Sequence, residues 1–266
     1  MNSTTLAWLA ENYQWKLSFY AGLGIIAAVY LFKAVAWAVP TMRAAARLNA
    51  ETFRGKMEKP HYAANQAWNR KWSLLFLVLI FAGILPFCLT AEMQPWWKVL
   101  LDTFVILMVY DFFYYLTHRF LFHDSDFFGG PLMWMHAVHH RQHNPCRWDS
   151  SYIHPLEIAI GLGLYLACIA GLSFVMGKFS VPTIVVTWMA FNQINLHNHN
   201  LWTEKGFPWR YISYLSEMHH NHHARFTGGN FATISLLYDW MFGTLDKGQG
   251  YPALDRLNAR RAARKG

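Results

Sequence analysis

The chain has 266 residues, of which 54% are hydrophobic and only 14% are charged. Soluble domains carry roughly 25% charged residues, so this composition argues against a soluble globular protein and favours an integral membrane protein. The net charge of +8 does not indicate a nucleic-acid partner, because the basic residues are concentrated in one internal segment and in the tail, as in cytoplasmic loops that contact anionic lipid headgroups.

Apolar stretches long enough to cross a bilayer recur along the chain. A membrane-spanning helix needs about 20 predominantly apolar residues. Five stretches are candidates, and the last is short and polar at its end: 17–39, 73–90, 97–117, 155–176 and 181–196. The sequence therefore predicts an all-α integral membrane protein with about four to five transmembrane helices. No secretory signal peptide is expected, because the first fifteen residues hold no Lys or Arg.

Positive charge is distributed unevenly between the segments that join these spans. Segment 41–71 is rich in Arg and Lys, whereas the turns at 91–96 and 177–180 together hold one lysine. Because loops rich in Lys and Arg stay in the cytoplasm, we expect 41–71, 118–154 and everything after about residue 197 on the cytoplasmic side. The basic residues of the tail are Arg256, Arg260, Arg261, Arg264 and Lys265.

Three regions follow from this pattern. Residues 1–96 are interpreted as an anchor of membrane spans and a basic loop, and residues 247–266 as a basic C-terminal tail. Residues 97–246 hold thirteen of the fourteen histidines, all in segments assigned to the cytoplasmic side. We therefore predict a cytoplasmic histidine-rich helical cap and a cytoplasmic C-terminus. The charge argument does not use the histidines, so the agreement is independent.

Two groups of histidines have the spacing of metal ligands. Each places three imidazoles at positions i, i+3 and i+4, which share one face of a helix. Clustered imidazolium ions repel one another, so such groups are most easily explained if neutral rings share a cation. The two groups are His136, His139 and His140, and then His219, His222 and His223.

His118 and His123 form a third candidate pair. They are five residues apart, which suits one face only if the helix unwinds or tightens between them. Asp111 precedes His118 by two helical turns and is expected to accept a hydrogen bond from a ligand imidazole. Glu157 and Asp239 are further candidates for such a supporting role, although Asp239 equally suits a helix-end contact.

Four further histidines are candidates. His197 and His199 follow the last span; one of them is expected to bind metal, and we favour His197. His154 is either a ligand or a cap of the next span. His143 shares a helical face with the first triplet, so it stays a candidate ligand. At least nine histidines are too many for one ion, since a tetrahedral zinc site uses four ligands, and they suit two ions.

The ordered histidine boxes resemble the fatty acid hydroxylase / sterol desaturase superfamily over residues from about 100 to 246. In chain order, the boxes are the run from Asp111 through His118 to His123, His136-Ala-Val-His139-His140, His154-Pro155-Leu-Glu157, His219-His-Asn-His222-His223, Asn230-Phe and Asp239-Trp-Met-Phe-Gly243-Thr244. The resemblance implies a membrane-bound, non-haem di-iron oxygenase (a monooxygenase or desaturase) with two iron ions (Fe²⁺/Fe³⁺) and O₂ as co-substrate. It also implies iron ligands at His118, His123, His136, His139, His140, His219, His222 and His223. The chain departs from the family at Leu196-His197-Asn198-His199-Asn200, where a clear His pair is usual.

The expected substrate is a lipid from the bilayer, such as a fatty acyl chain or a sterol, which is hydroxylated or desaturated. A separate ferredoxin, cytochrome or flavoprotein is expected to supply two electrons, because the chain has no cytochrome b5-like domain. Two alternatives remain at this stage. A metal transporter would place its ligands inside the spans, and a zinc-dependent membrane hydrolase would need neither iron nor O₂.

Overall fold

The computed structural model describes residues 3–123 and 129–263, and within these ranges the chain is all-helical. Its α-helices are α1 (Ser3–Asn12), α2 (Trp15–Ala38), α3 (Pro40–Met57), α4 (Pro60–Leu79), α5 (Trp96–Thr117), α6 (Met133–His139), α7 (Pro155–Met176), α8 (Val181–Asn198), α9 (Trp209–Ala224), α10 (Leu237–Met241) and α11 (Pro252–Ala263). π-Helical turns follow α4 at Ile80–Ile84 and α5 at His118–Phe122, and 3₁₀ turns lie at Leu85–Cys88 and Arg147–Ser151.

Four helical segments of the described residues are long and apolar enough to cross a membrane. They are Ala7–Ala38, Pro60–Cys88, Trp96–Phe122 and Pro155–Met176. The prediction of an all-α protein with four to five spans is confirmed, and the first four predicted spans fall on these helices, with at most two residues beyond their ends. The fifth candidate, 181–196, is the helix α8 but does not reach the same length and hydropathy, because its last turns carry Asn, Gln and His.

Helix α8 lies inside the bundle, against α2 and α5. Close packing with α2 depends on Gly24, since a Cβ there would lie only 2.8 Å from Val185 Cγ2. On the other side, Phe191 stacks on Tyr165 of α7 with ring centroids 4.5 Å apart, and meets Tyr110 of α5 edge-on at 5.1 Å. Packing of small and aromatic residues is what holds helices together in lipid, where burial from water provides no driving force.

The segment 41–71 was expected to be a basic loop, but it forms α3 and the first half of α4. Its polar residues contact the histidine-bearing part of the chain. Asn49 Oδ1 accepts hydrogen bonds from the backbone N–H groups of Arg147 and Leu201, at 2.8 and 3.1 Å, and Asn49 Nδ2 donates to the Leu201 carbonyl. Asn69 Nδ2 likewise donates to two carbonyls of the 151–153 turn. Residues 1–96 therefore brace the cap in addition to carrying spans.

The Asn49→Ala variant is expected to lower the thermal unfolding midpoint of the detergent-solubilised protein. It leaves two partly buried N–H groups and one carbonyl without their partner, at a cost of about 2–4 kcal/mol. Glu51→Ala, an exposed position on the same helix, is the matched control and should leave the midpoint unchanged. Equal midpoints for the two variants would contradict the bracing role.

The C-terminal region, expected to be a tail, forms α11 at Pro252–Ala263, preceded by the buried Tyr251 that packs edge-on against Phe231. Two of the basic residues used in the charge argument, Arg264 and Lys265, lie outside the described residues.

Candidate metal centre

The helix that carries His118 and His123 changes its pitch between them. A π-helical turn covers His118–Phe122, and the His123 N–H donates to the His118 carbonyl at 3.1 Å. This i to i+5 hydrogen bond places residues five apart above one another. The two Nε2 atoms are 3.3 Å apart. The predicted unwinding of this helix is therefore confirmed.

The triplets on α6 and α9 face each other below the end of α5, and with His118, His123 and His199 they form two compact groups. Within each group, one ligand-capable atom from every residue lies within 4.8 Å of all the others, and every member is buried. The first group is His118, His123, His136, His140 and His222, and the second is His139, His199, His219 and His223.

In both groups the Nε2 atoms converge on a point. In the first, Nε2 of His136 lies 2.9 Å from Nε2 of His118 and 3.1 Å from that of His140. In the second, Nε2 of His199 lies 3.0 Å from Nε2 of His219 and 3.2 Å from that of His139. Ring nitrogens that bind one common metal ion lie at such distances from one another.

In most of these histidines the other ring nitrogen, Nδ1, is held by a hydrogen-bond acceptor that lies outside the two groups. Nδ1 of His118 lies 2.7 Å from the Phe231 carbonyl, and Nδ1 of His222 lies 2.7 Å from the Gly229 carbonyl. Nδ1 of His136 lies 2.8 Å from Glu157 Oε1. A carbonyl or carboxylate accepts only, so each Nδ1 carries the proton and each Nε2 presents a lone pair inward.

Lone pairs that face one another at about 3 Å repel unless a cation lies between them. The donor set therefore fits a bound metal ion in each group, and imidazole suits iron, zinc, copper and nickel. Burial lowers the pKa of His139 and of His222 to about 4. These rings are thus neutral at pH 7 and bind a metal without first losing a proton.

The structure brings His199, not the favoured His197, into the second group. Helix α8 ends at Asn198, and at this point the chain turns so that the His199 ring faces His139 and His219. Nε2 of His197 instead donates to the Ile212 carbonyl at 2.6 Å. The preference for His197 is corrected accordingly, because the end of a helix and its packing on α9 decide which ring faces inward.

His199→Ala is expected to lower the metal content of the purified protein by about half, because one group loses a quarter of its ligands. His197→Ala is the matched control from the same turn and should retain the full content. Inductively coupled plasma mass spectrometry on both variants, normalised to protein, measures the difference. A larger loss for His197→Ala would reverse this assignment.

The remaining histidine candidates do not join either group. Nδ1 of His154 accepts a hydrogen bond from the Leu156 N–H at 3.2 Å, so His154 caps α7. His143 is exposed at the surface, and so is His61. His220 belongs to neither group and is only partly buried.

Of the three supporting carboxylates, Glu157 contacts a group histidine directly, whereas Asp111 and Asp239 act through the backbone. Asp111 accepts four hydrogen bonds from residues 233–235: three from the backbone N–H groups and one from the Ser235 hydroxyl. Asp239 accepts from the N–H groups of Phe231 and Ala232 and from the Thr244 hydroxyl. The expected Asp111–imidazole contact is thus replaced by an indirect one, through the loop that holds His118.

The sequence did not predict that the segment 225–235 holds the ligand rings in place. Its carbonyls at Phe226, Gly229 and Phe231 accept from Nδ1 of His123, His222 and His118, respectively. A Cβ at Gly229 would lie 1.9 Å from the Thr244 carbonyl oxygen, and Asn230 has a positive φ of 63°. The Gly228-Gly229-Asn230 run was the available signal, because such residues tolerate backbone that other side chains do not.

Fold and site together define a multi-pass membrane protein with a buried centre made of two histidine groups. Residues 103–244, more than half of the chain, match the profile of the family described as fatty acid hydroxylase. The chain belongs to the fatty acid hydroxylase family, which confirms the resemblance seen in its histidine boxes. No solved structure matches the chain with significance.

Among curated proteins, the chain is similar to three relatives with different names. It is 28% identical to methylsterol monooxygenase 2-1 of Arabidopsis thaliana, over 58% of this chain and 59% of that protein. It is 29% identical to very-long-chain aldehyde decarbonylase GL1-8 of Oryza sativa subsp. indica, over 58% and 56%. It is 27% identical to methylsterol monooxygenase 1 of Rattus norvegicus, over 58% and 49%. The chain thus spans about half the length of these relatives.

Proposed function

We propose that this protein is a membrane-bound di-iron oxygenase that hydroxylates or desaturates a lipid such as a fatty acyl chain or a sterol. The observation that carries the proposal is the pair of buried histidine groups, nine residues in all, whose Nε2 lone pairs converge on two points. Membership of the fatty acid hydroxylase family and similarity to methylsterol monooxygenases select oxygenase chemistry over metal transport and hydrolysis.

Two ions, one for each group, suit nine nitrogens better than one ion does. Imidazole alone does not select iron, so the choice of iron rests on the family. When bound, the iron pair supplies the activation of O₂ that an unactivated C–H bond requires. For hydroxylation, the lipid, O₂, two electrons and two protons give the alcohol and one water. For desaturation, the same reagents give an alkene and two waters.

The chain's own residues prepare the centre for this chemistry. Outer carbonyls and Glu157 fix the tautomers of the ligand rings, so the nitrogens need no rearrangement to bind metal. Burial of all nine rings excludes bulk water, which protects a reactive centre from side reactions. Aromatic rings of Phe122 and Phe231 pack against His118 and add an apolar wall around the first group.

The remaining partners follow from the membrane location. The substrate enters from the bilayer, and a separate ferredoxin, cytochrome or flavoprotein delivers the two electrons. The histidine groups and the C-terminus face the cytoplasm, in keeping with the basic α3 and the basic residues after 250.

The proposal is tested on the full chain in lipid nanodiscs, supplied with ferrous iron, a reductant with a flavoprotein reductase, and ¹⁸O₂. Mass spectrometry of the lipids should show a hydroxylated product that carries ¹⁸O, or an alkene two mass units lighter than the substrate. Reactions without O₂ serve as the control. Zinc-dependent lipid cleavage without O₂ consumption would favour a hydrolase instead.

A further inference from the structure

The segment after α9 lies beside the second half of α5. The hydroxyl of Tyr238, in α10, donates to the Met108 carbonyl at 2.9 Å. The ring of Phe112 contacts those of Tyr238 and Phe242, at 5.4 and 6.5 Å between centroids. Phe242 also stacks on Tyr115, at 5.2 Å. These contacts fix α10 against α5 between residues 108 and 115.

That stretch of α5 lies within the hydrocarbon layer. The span begins at Trp96 and Trp97, which are exposed and suit the interfacial aromatic belt at the end away from the histidines. At 1.5 Å per residue, Met108 and Tyr115 lie about 18 and 28 Å below Trp96. The hydrocarbon core is about 30 Å thick, so α10 falls in the half of the bilayer nearest the histidines.

The N–H groups of residues 231–235, which lead into α10, are all satisfied within the protein, as a position in the hydrocarbon layer requires. Residues 231–235 are not helical, and irregular backbone is tolerated in the hydrocarbon region only where its polar groups are satisfied within the protein. The N–H groups of all five residues donate to two fully buried carboxylates, Asp111 and Asp239. Carboxylates inside membrane spans are rare and costly. The acceptance of these backbone N–H groups accounts for the presence of Asp111 in α5.

The outer face of α10 is apolar and uncovered by the described part of the protein. Its exposed side chains are large: Trp240 is 70% exposed, Met241 is 56%, and Leu237 and Phe242 are each 40%. A contiguous apolar patch of this kind marks a surface that contacts a partner or a membrane. Because α10 lies at the depth of the hydrocarbon core beside α5, we expect lipid acyl chains to cover this face.

We propose that residues 231–243 form a re-entrant segment that dips into the leaflet on the histidine side, with Leu237, Trp240, Met241 and Phe242 in contact with lipid acyl chains. The insertion does not depend on the oxygenase reaction. A consequence that does rest on the proposed function is the route to the metal centre. Ring contacts connect Phe242 to Tyr115, Tyr115 to Phe231 and Phe231 to His118.

The test places a nitroxide spin label at Trp240→Cys and, separately, at Met241→Cys in the full chain, reconstituted in phosphatidylcholine vesicles. The native Cys88, Cys146 and Cys168 are buried and therefore shielded from the reagent. Collision with O₂, which concentrates in hydrocarbon, is compared with collision with chromium oxalate, which stays in water. Phe104→Cys on the lipid-facing side of α5 and the exposed Lys247→Cys are the two reference positions.

Both α10 labels should show an O₂-to-chromium collision ratio close to that of Phe104→Cys and several-fold above that of Lys247→Cys. A ratio like that of Lys247→Cys at both sites would overturn the proposal, because the segment would then lie in water. Low collision with both reagents would also overturn it, because protein such as a second copy would cover the face. None of these readings requires iron or turnover, so failure here is distinguishable from failure of the oxygenase assignment.

Discussion

Replacing His222 by alanine should abolish the oxygenated lipid product, with a loss of at least about 100-fold. Nε2 of His222 lies 3.0 Å from that of His140 and is aimed by the Gly229 carbonyl at Nδ1, so the first group loses a prepositioned ligand. His139→Ala should have the same effect through the second group, whose members include His199 and His219. Product and metal content are measured together on each purified variant.

His143→Ala is the matched control, since His143 is an exposed histidine three residues after His140, the last member of the first triplet. It should retain both metal and product. The thermal unfolding midpoint of all three variants separates a lost ligand from a lost fold. If His139→Ala and His222→Ala both kept their product, the assignment of the two groups as the catalytic metal centre would be refuted.

The Asp111→Ala variant should be the most destabilising carboxylate substitution in the described part of the chain. It leaves three backbone N–H groups and the Ser235 hydroxyl without their acceptor. At about 1–3 kcal/mol for each buried unsatisfied group, the loss is about 4 kcal/mol or more. Because Phe231 in the adjoining turn positions His118, metal of the first group should be lost as well.

Asp111→Asn keeps the size of the side chain but places an amide N–H₂ against backbone N–H donors. Its unfolding midpoint should therefore lie between those of the unmodified protein and Asp111→Ala, and the variant should still be purifiable. Asp255→Ala removes an exposed carboxylate on α11 and serves as the control. The unfolding midpoint in detergent and the metal content are measured for the three. A midpoint for Asp111→Asn equal to that of Asp255→Ala would show that the 233–235 turn does not depend on Asp111.

Local geometry explains which parts of the centre were predictable. The triplets on α6 and α9 share a helix face whatever the rest of the chain does, because the period of the helix alone decides it. The His118–His123 pair was predictable for the same reason, since a spacing of five demands a change of pitch. The spans were equally readable, because about 20 apolar residues have few other stable environments.

Long-range packing decided what the pattern left open. Whether His197 or His199 faces the second group depends on where α8 ends and how it lies on α9. Asp111 meets its partners more than a hundred residues later in the chain, and spacing carries no information about such a contact. The basic segment 41–71, too, shows its bracing role only once Asn49 is seen beside Leu201.

From its sequence alone, the chain specifies that it is a helical membrane protein with enough histidines at helical spacing for two ions, because hydropathy and periodicity act within one segment at a time. Only the tertiary structure assigns nine particular rings to two groups and turns two buried carboxylates toward an irregular backbone segment. Those arrangements join residues from distant segments, and their energies arise from contacts that exist only after the helices have packed.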